Sequence, residues 1–129
     1  MKSPITGKEM ALCWETKTLN YRGESFTITT HYYQCEDSGE RFTTTDSDKD
    51  DLGRIYDQYR QRHGIPTAEE IKNIRRKYKV SAAKMSRILG FGANQYRLYE
   101  TGEMPSLSNA RLILLVADEQ NFRKLAELP

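Results

Sequence analysis

Cysteine is scarce in this chain of 129 residues: there are two, Cys13 and Cys35, which excludes the disulfide framework of a small secreted protein. Long apolar runs are absent too. No stretch approaches the roughly 20 apolar residues of a membrane span, and the opening Met1-Lys2-Ser3-Pro4-Ile5 has no apolar signal core, so the expectation is a cytoplasmic protein without a membrane partner. Histidine is equally sparse. His31 falls in a predicted strand and His63 in a predicted linker, with no His/Cys/Asp grouping at metal or triad spacing. The carboxylates of Asp46, Asp48, Asp50 and Asp51 fall within one short run, so a helix splays them around its axis. Gly90-x-Gly92 lacks the strand that a nucleotide-binding loop needs. These absences argue against an enzyme, and no cofactor is expected.

The residues that are present divide into two patterns, and the predicted fold class is α+β. Met10–Thr18 and Glu24–Gln34 are rich in Thr, Tyr, Phe, Ile and Trp, with turn residues Asn20-Tyr21-Arg22-Gly23 between them, and predict an antiparallel hairpin. Arg41–Thr45 is a candidate third strand. The acidic run Asp46 to Asp51 offers helix caps and favourable charge at a helix start. Leu52, Ile55, Tyr56 and Tyr59 then recur at helical spacing until His63-Gly64-Ile65-Pro66 ends the segment. The organisation expected is a β-ribbon domain over 1–46, a connecting helix over 47–64 and an all-α domain over 65–129. With 37% hydrophobic residues the chain is not disordered by composition, yet a front domain of this size needs support from a helix, a partner or a second copy.

The all-α part opens at Thr67, with Glu70 three residues on as a capping box and Ile71, Ile74 and Tyr78 as the inward stripe. From Val80 to Gly102 the spacing is that of a helix, a glycine turn and a second helix. Ser81 is the cap, Met85, Ile88 and Leu89 share one face, and Gly90 makes the turn. In the second helix Tyr96 and Tyr99 point inward. Asn94, Gln95 and Arg97 are left outward, side-chain types suited to base edges in a major groove. Two further helices, Ser106 to about Ala117 and Asn121 to Leu128, bring the count to five.

Charge follows the same division. Lys72, Arg75, Arg76, Lys77, Lys79, Lys84, Arg87 and Arg97 are basic, and no Asp or Glu lies between Ile71 and Tyr99, although the formal net charge is only +2. Such a stripe suits phosphate, with Lys79, Lys84 and Arg87 as the positioning cations.

Val80–Gly102 resembles the DNA-binding motif of the lambda-repressor-like, or XRE-type, helix-turn-helix family. Ser3-Pro4-Ile5-Thr6-Gly7 and Cys35-Glu36-Asp37-Ser38-Gly39 resemble the two Cys-x-x-Cys-Gly knuckles of MqsA-type antitoxins, in which a small zinc-binding domain precedes a helix-turn-helix. The front part of SocA-type antitoxins is similar to the whole chain, and a further domain often follows there. The resemblance therefore leaves open that the natural polypeptide continues beyond Pro129.

The resemblance implies an operator-binding repressor of the antitoxin type, with double-stranded DNA and a toxin as partners. It also implies a homodimer formed through the last helices, for which Leu114, Phe122 and Leu125 are candidates; each suits the monomer core equally well. Asn94 matches a base-reading asparagine of those relatives, whereas their arginine falls on Leu98 here, and Arg97 sits one place earlier. The knuckles depart furthest. Ser3, Thr6 and Ser38 stand where thiolates would, so a ribbon that keeps its turns without zinc is expected, with no metal bound and Cys35 an ordinary thiol. A protein–protein adaptor without DNA binding is the alternative.

Overall fold

The computed structural model describes residues 2–129, apart from the side chains of residues 45 and 46. It is an α+β chain: three antiparallel strands, β1 (Ala11–Tyr21), β2 (Glu24–Gln34) and β3 (Arg41–Phe42), precede six helices. These are α1 (Thr45–His63), α2 (Ala68–Lys77), α3 (Ala82–Leu89), α4 (Gln95–Glu100), α5 (Leu107–Val116) and α6 (Glu119–Ala126). The chain forms two compact units, Met1–Gln58 and Tyr59–Pro129.

In the first unit β1 and β2 run the full length of a hairpin, from the Ala11–Gln34 pair to Tyr21–Glu24. The strands are longer than the composition suggests because a two-residue turn suffices, with Arg22 and Gly23 both at positive φ (51° and 78°), the geometry that matches strand twist. Phe26, Ile28 and Thr30 are buried on one face. The α1 helix runs along that sheet and holds it through polar contacts: Asp51 accepts from the Thr30 hydroxyl and pairs with Arg54 (3.3 Å) and Lys17 (3.7 Å).

Two expectations for α1 need correction. Leu52 is not on the inward face but 46% exposed, and Asp51 takes the buried position between Ser47 and Ile55. The reason is geometric: side chains four apart align along a helix, Thr30 donates a hydrogen bond to the buried carboxylate, and Lys17 and Arg54 pair its charge. The cap comes from Thr44, whose hydroxyl accepts from the Ser47 amide at 3.1 Å, ahead of the acidic run. A cap formed by Asp46 would lie outside the described residues. The third strand is shorter than expected as well: β3 pairs with β2 only at Arg41 and Phe42, and α1 already begins at Thr45.

The second unit is a bundle of α2 to α6 around Ile71, Met85, Leu89, Tyr96, Tyr99, Ile113 and Val116. Hydroxyls or carboxylates cap four of the helices: Thr67 on α2, Ser81 on α3, Ser106 on α5 and Asp118 on α6 each accept from an amide of the first turn. Gly90 ends α3 in the left-handed region (φ 76°), a conformation that costs a side-chain-bearing residue about 1 kcal/mol or more.

Polar contacts reinforce the core. The Arg75 guanidinium grips Glu100 through Nε (3.1 Å) and Nη2 (2.8 Å) while Nη1 donates to the Val80 carbonyl at 3.1 Å. Glu100 holds Arg75 further toward its charged form than a free guanidinium. Replacing Glu100 by Ala should leave that cation largely buried and unpaired, lowering the stability of the helical unit by about 3 kcal/mol. Urea unfolding followed by helical circular dichroism measures it, and a loss below about 0.5 kcal/mol would show the pair to be dispensable.

Candidate nucleic-acid interface

The motif from Val80 to Gly102 folds as α3, a turn and α4, and its sequence places the inward anchors. Ser86 is buried, and its Oγ accepts from the Tyr96 amide at 3.0 Å, which ties the start of α4 to the body of α3. Tyr96 is fully buried, with its hydroxyl donating to the Ile71 carbonyl of α2; burial holds that phenol far above its usual range. Tyr99 is buried alongside, its hydroxyl accepting from the Asn109 amide at 2.8 Å. These bonds decide which face of α4 is left for a partner.

On that remaining face Asn94 sits at the N-cap of α4, exposed and without a side-chain capping bond, so its amide has both its donor and its acceptor available. Arg97 is exposed one turn along, and Leu98 is 39% exposed. Gln95 is different. Its Nε2 donates to Glu103 Oε2 at 3.0 Å, so its amide is engaged within the protein. Nothing in the run from Ile71 to Tyr99 indicates this acidic neighbour, because Glu103 lies beyond the motif and the chain reversal after α4 brings it back.

The cations also separate. Lys79, Lys84 and Arg87 are exposed, Lys79 on a positive-φ residue (57°) just after α2. Lys84 and Arg87 rim a groove whose floor includes Ile88, Leu125 and Leu128. Arg75, counted in the basic stripe, is withdrawn from it by Glu100. Lys77 donates to the Ala117 carbonyl at 2.8 Å, at the end of α5. Of the candidates for a dimer contact, Phe122 stacks on Tyr78 at 3.8 Å and Leu125 packs on the same core, while Leu114 is 45% exposed beside Leu115 at 55%.

The four knuckle positions of the first unit lie together. In each knuckle the backbone makes the same two bonds: the Ser3 amide donates to the Lys8 carbonyl and the Gly7 amide to the Ser3 carbonyl, as Cys35 does to Glu40 and Gly39 to Cys35, all within 2.8–2.9 Å. Gly7 and Gly39 share φ 73°, which the turn requires and a side chain would strain. Between the knuckles the Ser3 hydroxyl donates to Cys35 Sγ at 3.3 Å, and Thr6 Oγ1 lies 3.9 Å from the same sulfur. A zinc ion does not fit this donor set, since one thiol and three neutral hydroxyls cannot supply a closed tetrahedral shell. Among the described residues there is no group of three or more His, Cys, Asp or Glu able to hold a metal.

A family model described as the antitoxin component of bacterial toxin-antitoxin system, MqsA, matches residues 1–124. Neither curated proteins nor solved structures gave a match. Among the described residues no helix is long and apolar enough to cross a membrane.

The cradle around Cys35 carries a pH signature. Hydrogen bonds from Ser3 and Ser38 to the sulfur, opposed only in part by burial, lower its thiol from 9.0 to about 6. Folding therefore favours the thiolate. The stabilisation is absent below about pH 6, grows as pH rises and is complete above the unfolded value near 9. Relative to Cys35→Ser, which does not titrate, the wild-type protein should gain stability between those limits; parallel pH profiles of the two would refute the cradle.

Proposed function

Because the chain belongs to the MqsA antitoxin family, the antitoxin component of bacterial toxin–antitoxin systems, we propose that it acts as a DNA-binding repressor of that type. Its helical unit reads an operator and its front unit engages the toxin. The single observation that carries the DNA half is the two-sidedness of α4: Tyr96 and Tyr99 lock one face into the core, and the other presents Asn94 and Arg97 with no competing internal duty for Asn94. Asn94 is the base-reading residue, suited to bidentate pairing with adenine. Arg97 serves guanine or phosphate, and Lys79, Lys84 and Arg87 neutralise phosphates on either side.

Gln95 takes a lesser part in this reading. Its amide is already oriented by Glu103, which uses one of its two N–H donors and fixes the direction of the groups that remain. Two copies bind the operator, since one short recognition helix reads too few base pairs to find a site. The exposed Leu114–Leu115 pair on α5 supports such a contact better than Phe122, which is used internally.

Two substitutions separate reading from positioning. Asn94→Ala should cost about 1–3 kcal/mol on the selected operator and relax preference at one base pair, with no loss of fold because the side chain caps nothing. Lys84→Ala should weaken specific and random duplex alike and flatten the slope of log K against log salt by about 0.9. Selection of bound duplexes from a random pool, followed by titration at several salt concentrations, measures both. No binding to any duplex at low ionic strength would reject the repressor reading.

A further inference from the structure

The β1–β2 hairpin has two long edges and an outer face turned away from α1. The two edges of this hairpin are treated differently. Along β2, the carbonyls of Thr27, Thr29 and His31 turn away from β1 and are taken up by Gln58 (2.9 Å), Arg54 (2.7 Å) and Ser47 (3.4 Å) of α1. By antiparallel register their partners Thr18, Thr16 and Trp14 must also turn their backbone groups outward, in the opposite direction. There β1 is the edge strand, and among the described residues no strand pairs with its outer side. It is 11 residues long, about twice the usual strand.

Exposed edges of this length are normally blunted by outward lysines, prolines or bulges. Here they are not. The charges of β1 lie on the other face, Lys17 beside Asp51 and Glu15 beside Arg41. Every cross-strand pair on the outer face, from Leu12–Tyr33 to Asn20–Ser25, is free of Asp, Glu, Lys and Arg, in a chain that is 29% charged. One end of that face is aromatic and apolar. Leu12 is 50% and Trp14 59% exposed, Trp14 lies 5.1 Å from the His31 ring, and His31 Nδ1 is buried without a partner.

From this we infer that the edge of β1 is the toxin-docking site, and that it takes an extended, uncharged strand of the partner protein added beside β1, with an apolar residue placed at the Leu12–Trp14 end. Strand addition satisfies the outward amides and carbonyls, and the adjoining face supplies side-chain selectivity. Nucleic acid is not the occupant, since the face offers phosphate no cation. A second copy fits poorly as well. Antiparallel self-pairing over the full strand centres on Thr16 and sets Leu12 against Asn20 and Trp14 against Thr18, so the apolar end meets the polar end. The inference rests on the reading that the front unit holds the toxin.

Hydrogen exchange on the antitoxin alone and on its co-purified complex with the toxin of the same system tests it. The amides of Trp14, Thr16 and Thr18 should exchange quickly in the free protein and be protected in the complex. Thr16→Pro removes an outward donor without touching the β1–β2 ladder, and Thr18→Lys puts a charge on the same face while leaving the backbone unchanged. Each should weaken toxin binding at least tenfold and leave DNA affinity unaltered. Protection confined to α1 or the knuckles, with full toxin affinity in the lysine variant, overturns the edge proposal alone. Protection found only in residues 59–129 overturns the reading beneath it. A wild-type oligomer in the absence of toxin that Thr18→Lys dissolves shows that the occupant is a second copy, and that also rejects the proposal.

Discussion

Everything the helical unit presents to a partner depends on holding α4 still. At six residues it is far too short to be stable alone, because nucleation costs more than so few backbone bonds return. Its position comes from outside: Ser86 holds the Tyr96 amide, Ile71 takes the Tyr96 hydroxyl, Asn109 donates to the Tyr99 hydroxyl, and Arg75 clamps Glu100 at its last turn. Neighbours on three helices thus set the direction in which Asn94 and Arg97 face. A change that loosens any of these anchors moves the outward residues without touching them.

The first unit meets a comparable problem with different means. A small sheet needs something to close it, and in place of metal chemistry the two knuckles keep their backbone turns and fill the centre with hydroxyls directed at one sulfur. The rest of the closure comes from α1, whose Ser47, Asp51, Arg54 and Gln58 bind the sheet through polar groups. That arrangement protects the edge of β2. It leaves the edge of β1 as the place where this fold is unfinished.

Much of the architecture was legible because it follows from local rules. The hairpin shows in β-branched and aromatic residues on either side of a turn, the caps in Thr67 and Ser81, the turn in Gly90, and the inward tyrosines in helical spacing. What local rules did not show came from pairings with residues outside the segment being read. Leu52 looked like a core residue until Thr30 and Lys17 gave Asp51 a reason to be buried. Arg75 counted as one cation of the basic stripe until Glu100 claimed it, 25 residues away. Gln95 looked free until Glu103 folded back onto it.

By itself the sequence determined the kinds of element, their order and the chemistry of the motif residues, because periodicity, capping and turn conformation act over a few neighbouring residues. Only the tertiary structure decided which of those side chains remain available. Availability is a competition between an internal partner and an external one, and a cation or amide satisfied by a carboxylate across the fold no longer seeks a phosphate or a base. The same holds for the sheet: the strands are written in the residues, but which edge α1 covers and which it leaves open depends on where the helix lies.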